Sequence, residues 1–155
     1  MSSADGLTRE ASNMAPEENR QLIAQVYELL NARDLDGAFA LYTSDYVYHG
    51  PGGQELRGRD GIRGLWAQFF TAFPDLSATV DEVIGEGDRW MVRWTIRGTH
   101  KGEFPGIAAP TGRSVELPVL ELFRISNGQL AEAWDRYDRL HLLEQLGAVP
   151  APSEA

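Results

Sequence analysis

The chain has 155 residues, 43% hydrophobic and 24% charged, values that suit one globular domain and leave no room for two. Its formal net charge of −9 disfavours nucleic-acid and anionic-lipid surfaces, so neither nucleic acid nor membrane is expected as a partner. The lack of cysteine removes disulfides, thiolate catalysis and Cys-based metal sites, and with no apolar leader or membrane-length run the expected location is cytoplasmic.

Residues 1–15 are small and polar and are expected to be disordered, as is the tail 148–155; the folded domain is expected over 16–147. Pro16 followed by Glu17 and Glu18 marks a helix start, and Leu22, Ile23, Val26, Tyr27, Leu29 and Leu30 recur at helical spacing. A short second helix holds Ala38, Phe39 and Leu41. Tyr46-Val47-Tyr48-His49 predicts a strand, ended by the turn Gly50-Pro51-Gly52-Gly53. A third helix is predicted from about Asp60 to Phe73, with Ile62, Leu65, Trp66, Phe69, Phe70 and Phe73 as its apolar stripe and Pro74 as its stop.

The second half is strand-rich. Strands are predicted over 77–84 and 89–100, with Trp90, Val92, Trp94 and Ile96 on one face of the second. A loop rich in Gly and Pro follows, then strands over 113–125 and 129–137 joined at Ser126-Asn127-Gly128. Asp138 suits the cap of a last short helix, with Gly147 as its stop. Helices followed by a run of mostly antiparallel strands define an α+β fold. A curved sheet wrapped round a long helix leaves a cone-shaped interior, a natural place for a ligand.

Four stretches carry a family resemblance: Gly58-Arg59-Asp60-Gly61-Ile62; Gly98-Thr99-His100-Lys101-Gly102-Glu103-Phe104; Pro110-Thr111-Gly112-Arg113; and the ending Phe123-Arg124 … Gly128 … Trp134-Asp135 … Asp138 … Leu143 … Gln145-Leu146-Gly147. Over about residues 16–147 the chain resembles the SnoaL-like polyketide cyclases of the nuclear-transport-factor-2-like superfamily. The resemblance implies a cone-shaped α+β barrel and a cofactor-independent acid/base enzyme. It places the family's catalytic aspartate at Asp135. The family's assisting histidine falls at Glu121, where this sequence departs from the pattern.

Aldol-type ring closure or isomerisation needs a base next to a carbonyl and a donor where the alkoxide forms, and no metal or organic cofactor. A carboxylate in an apolar pocket suits the base because burial raises its pKa. Two registers of the last hairpin are open. A two-residue turn at Asn127-Gly128 would set Glu121 opposite Trp134, with Asp135 facing away. A three-residue turn would set Val119 opposite Asp135 with Glu121 diagonal to it, and the resemblance favours this second arrangement.

The expected site therefore pairs the catalytic acids Asp135 and Glu121 with substrate-binding His49, Trp66, Phe70, Trp94, His100 and Phe104. Each has a plainer reading: Asp135 paired with Arg136 or Arg139, the aromatics as core, the histidines as structural. The three histidines lack metal-ligand spacing, so no metal is expected. The expected ligand is an apolar carbonyl compound; the alternative is a non-catalytic ligand-binding homodimer. A homodimer through the sheet is expected because Met91, Leu120, Leu122 and Trp134 give its other face an apolar share.

Overall fold

A computed structural model describes residues 4–107 and 109–150, with side chains from residue 16 onward. Residues 151–155 of the expected tail, residues 1–3, and the side chains of 4–15 lie outside the described residues. The elements are α1 (Ala4–Asn31), α2 (Leu35–Ala40), β1 (Tyr42–His49), a short 3-10 turn (Pro51–Gly53), β2 (Glu55–Arg57), α3 (Gly58–Ala72), β3 (Ser77–Glu86), β4 (Arg89–Thr99), β5 (Ser114–Ser126), β6 (Gln129–Tyr137) and α4 (Arg139–Gln145). Three differ from the sequence reading. Helix α1 begins before Pro16, which lies inside it. Strand β1 starts at Tyr42, where it already pairs with Leu130. Strand β2 was too short to show any alternation.

The sheet order is β2-β1-β6-β5-β4-β3. All neighbours are antiparallel except β1 and β6, which run parallel. The sheet is curved and its edge strands β2 and β3 do not meet, so the predicted barrel is an open α+β cone.

Helix α1 buries Leu22, Ile23, Val26, Tyr27 and Leu30 of the stripe its spacing predicted, with Leu29 half-buried at its edge. Its last residue locks it to an edge: the Asn31 side chain donates to Ala78 O and accepts from Ala78 N, each at 2.8 Å. Arg33 then donates to Pro74 O and Leu76 O at 2.9 and 2.8 Å. Helix α3 buries Ile62, Phe69 and Ala72 against the concave face. Its carboxyl end is held by Lys101 N and Gly102 N, both donating to Ala72 O. Asp138 caps α4 by accepting from His141 N at 2.9 Å, as its position before that helix predicts. Among the described residues no helix is long and apolar enough to cross a membrane.

The β5–β6 hairpin decides the site: the two-residue turn forms, but neither expected placement of Asp135 follows from it. Asn127 and Gly128 both have positive φ, 50° and 73°, and Ser126 pairs with Gln129. This is the two-residue turn whose twist matches a hairpin. Ile125 pairs with Leu130, but Arg124 pairs with Glu132, so Ala131 is an extra residue bulged out of the ladder. Before the bulge Leu130 points inward; after it Ala133 and Asp135 do. Asp135 therefore stands directly opposite Glu121, closer than the diagonal placement expected.

Candidate active site

Thirteen residues line a narrow cavity between the concave face of the sheet, α1 and α3; Trp66, Phe69, Trp94, Glu121 and Asp135 are among them. Its volume is about 30 Å³, room for on the order of two waters. Indole rings take up the rest: Trp66 stacks on Trp94 with centroids 5.7 Å apart, and Tyr27 tilts against Trp94 at 5.1 Å.

Glu121 and Asp135 are the acids of this cavity, 7% and 6% exposed. No basic side chain lines it, and among the described residues neither acid forms an ion pair. The plainer pairing of Asp135 with Arg136 does not form: the Arg136 guanidinium instead donates to the backbone O of Asp135 and of His49. Tyrosines partner the acids. Tyr48 OH donates to Asp135 Oδ2 at 2.7 Å and Tyr27 OH donates to Glu121 Oε2 at 3.0 Å. Asp135 Oδ1 is buried with no hydrogen-bond partner, as is Trp94 Nε1.

Burial dominates the electrostatics. It lifts the Asp135 pKa to about 6, against the pull of Tyr48 and of the Arg136 backbone N–H and charge. It lifts Glu121 well above the ordinary glutamate value, and the Asp135 charge pushes the same way. The Tyr27 hydroxyl and the nearby Trp94 indole favour ionised Glu121 but do not prevail; the indole does not reach hydrogen-bond geometry. The two acids thus titrate as one coupled pair, in two steps. Burial and the Asp135 charge raise the Tyr48 pKa, so its phenol stays a donor.

Of the predicted binding residues, Trp66 and Trp94 line the cavity and four do not. His49 alternates with inward Tyr48 and so faces outward, stacked on Trp134 at 5.3 Å with Nε2 2.7 Å from Glu132. Phe70 turns off the α3 stripe to lie under the Arg33 guanidinium, 4.1 Å from its ring. Phe104 packs behind the wall on Phe69 and Phe73. His100 is fully buried behind Phe73, its Nδ1 accepting from Thr111 N at 3.1 Å.

The sequence reading missed the tyrosines as site residues. Tyr27, Tyr42, Tyr48 and Tyr137 line the cavity, and Tyr46 packs on Tyr42 at 4.7 Å, so all five in the chain surround the acids. Alternation in Tyr46-Val47-Tyr48 places two on one face; the missing signal was the parallel pairing of Tyr48 with Ala133, which sets Tyr48 diagonal to Asp135.

Trp66 is only half-buried, and it closes the cavity by resting on Trp94. Trp66→Ala should therefore cost about 1–2 kcal/mol, below the ~3–5 kcal/mol of a fully buried aromatic, and should widen the cavity. Urea denaturation measures the first. A crystal structure showing the space refilled by Leu65 would contradict the second.

The comparisons agree on the family. No curated protein matches the chain. Among solved structures, AclR from Streptomyces galilaeus, a candidate hydroxylase, is 32% identical over 87% of this chain and 84% of its own, with a TM-score of 0.77. IdmH from Streptomyces antibioticus, a candidate polyketide cyclase, is 36% identical over 83% of this chain and 97% of its own, with a TM-score of 0.73. A Catenulispora acidiphila protein of ketosteroid isomerase-like fold, 18% identical over 81% of this chain and 92% of its own, shares the fold alone at a TM-score of 0.69. The family model of SnoaL-like polyketide cyclases matches residues 20–146, and with the fold agreeing, the chain belongs to the SnoaL-like polyketide cyclase family.

Proposed function

We propose that the protein is a cofactor-independent acid/base enzyme that moves a proton next to a carbonyl of an apolar small molecule, in ring closure or isomerisation. The observation that carries this is the state of the Asp135 carboxylate. Oδ2 is held by Tyr48, Oδ1 has no partner, and the group is buried with a pKa of about 6. A base with these properties is ionised at neutral pH yet strong enough to take a proton. Glu121, directly opposite and with its proton held more tightly by burial and by the Asp135 charge, is the matching acid. In an aldol closure Asp135 takes the C–H proton, the resulting carbanion attacks the second carbonyl carbon, and Glu121 protonates the oxygen. Proton return from Asp135 to Glu121 resets the pair. Glu121 thus fills the role of the family's histidine with a group of the opposite charge type.

The test is deuterium exchange. Enolisable ketones, including cyclic β-diketones, incubated with the protein in D2O should gain deuterium next to the carbonyl, read by mass spectrometry. The Asp135→Asn protein should not promote the exchange. A panel in which the wild type exchanges nothing above buffer would refute the reading.

The proposal extends to assembly. The convex face carries Leu120, 50% exposed, beside half-buried Met91, Leu122 and Trp134. Contiguous apolar surface of this kind marks a contact, and a second copy covers it in a two-fold dimer. Light scattering at micromolar concentration should give twice the chain mass, and Leu120→Lys should give a monomer. A monomeric wild type would contradict this.

A further inference from the structure

We infer that Trp94 is a second catalytic donor, whose indole N–H holds the carbonyl oxygen of the substrate while Asp135 Oδ1 faces the acidic C–H. This rests on the proton-transfer reading of the same cavity and adds a chemical class: an enolisable ketone entering oxygen-first toward Trp94. Two buried polar atoms on the cavity wall have no partner in the protein, and they are complementary. Trp94 Nε1 can only donate, and ionised Asp135 Oδ1 can only accept. A buried polar atom left without a partner costs roughly 1–3 kcal/mol. Two such atoms of opposite kind in one cavity define a ligand that accepts at one point and gives up hydrogen at another.

The strand register sets the order of the groups. Trp94 pairs with Val119, two residues from Glu121, so the indole and Glu121 are diagonal neighbours on the inward face. Asp135 stands beyond Glu121 on the next strand. The indole N–H and the Glu121 carboxyl, a second donor when it holds its proton, therefore lie toward one side of the acceptor Asp135 Oδ1. In the enolisation step the C–H bond breaks and its proton goes to Oδ1. The electron pair forms the C=C bond, and the carbonyl π pair moves onto oxygen. That oxygen gains charge and takes a stronger hydrogen bond from Trp94, which keeps its proton. A donor placed where charge develops lowers the barrier more than it strengthens ground-state binding.

Phenol tests this, since its one oxygen can accept from Trp94 and donate to Asp135; toluene is the shape-matched control. In 1H–15N spectra the Trp94 Nε1–H signal, assigned by its absence in Trp94→Phe, should move downfield with phenol and not with toluene. The wild-type preference for phenol over toluene should fall about tenfold in Trp94→Phe, the equivalent of about 1.4 kcal/mol. Should Trp94→Phe fail to fold, selective 15N-indole labelling with Trp66→Phe, Trp90→Phe and Trp134→Phe assigns the wild-type signal by elimination. An indole signal unmoved up to the solubility limit of phenol, or an unchanged preference in Trp94→Phe, would overturn the inference. Deuterium exchange separates this from the parent reading. Wild-type exchange rates in Trp94→Phe, with exchange abolished in Asp135→Asn, would remove Trp94 and leave Asp135 as the base.

Discussion

Asp135→Asn should make the protein more stable at neutral pH while reducing proton transfer by about 10²–10⁴-fold, the usual contribution of a general base. Asparagine keeps the shape and can still accept from Tyr48. What it removes is an ionisation that folding opposes. With the folded pKa at about 6 against an ordinary 3.8, the protonated form is the one the fold favours. The stabilisation from this group is fully present below about 3.8 and is lost as pH rises to about 6. That loss is worth up to about 3 kcal/mol. The stability difference, Asn variant minus wild type, should therefore rise between about pH 4 and 6 and level off above. Beyond that plateau, removing the Asp135 charge also eases ionisation of Glu121, which can only widen the difference further at higher pH. Urea denaturation across pH 4–8 measures the difference. A flat difference, or a carboxyl titration by carbon-detected NMR at the ordinary value, would remove the basis for Asp135 as a base.

Gly102→Ala should be the most damaging single-methyl change in the described part of the chain. A Cβ at Gly102 collides with the Thr71 carbonyl oxygen and lies 2.8 Å from its carbon. Both are backbone atoms at the end of α3, so no side chain can swing aside. Relief requires moving the β4-to-β5 loop off α3, which weakens the hydrogen bonds from Lys101 N and Gly102 N to Ala72 O. The cost should sit at or above the top of the ~1–3 kcal/mol range for overpacking. That corresponds to a fall in Tm of roughly 5–10 °C for a chain of this size. The activity of whatever fraction remains folded should change little, since the loop packs on Phe73 behind the cavity wall. An unchanged Tm would show that the loop has slack the close contact does not suggest.

The periodic part of the fold was legible in the residues. The α1 stripe, the inward tryptophans of β4, the Asp138 cap and the four long strands follow from spacing and end signals that act within a few residues. The pairing of β1 with β6 was not legible, because parallel neighbours separated by most of the chain leave no local mark. The site divides along the same line. Asp135 and Glu121 were found through the family resemblance and by asking where an acid would be buried. His49 and Phe70 were placed in the cavity by type and neighbourhood, and strand parity and the helix face turned them elsewhere; His100, placed by its parity with Trp94, and the loop residue Phe104 are buried but pack on Phe73, behind the cavity wall. Tyr27 and Tyr48 were missed because the elements that deliver them to the acids lie 94 and 87 residues away in sequence.

Ala131 has a consequence out of proportion to its size. A β-strand is a two-letter code, in and out, and the bulge shifts the reading frame by one letter midway along β6. Every residue downstream owes its side of the sheet to that shift. Flattening the bulge while Ala131 stays in the chain, so that Arg124 pairs with Ala131, would restore a regular hairpin with an intact turn and an unbroken ladder. It would also put Trp134 in the cavity and Asp135 on the convex surface, where the aspartate would be an ordinary solvated acid. A relative could thus keep every catalytic residue type, and the motif that advertises them, and yet be inert. Within this fold, the pairing register between Gly128 and Trp134 is as diagnostic of chemistry as the acids themselves.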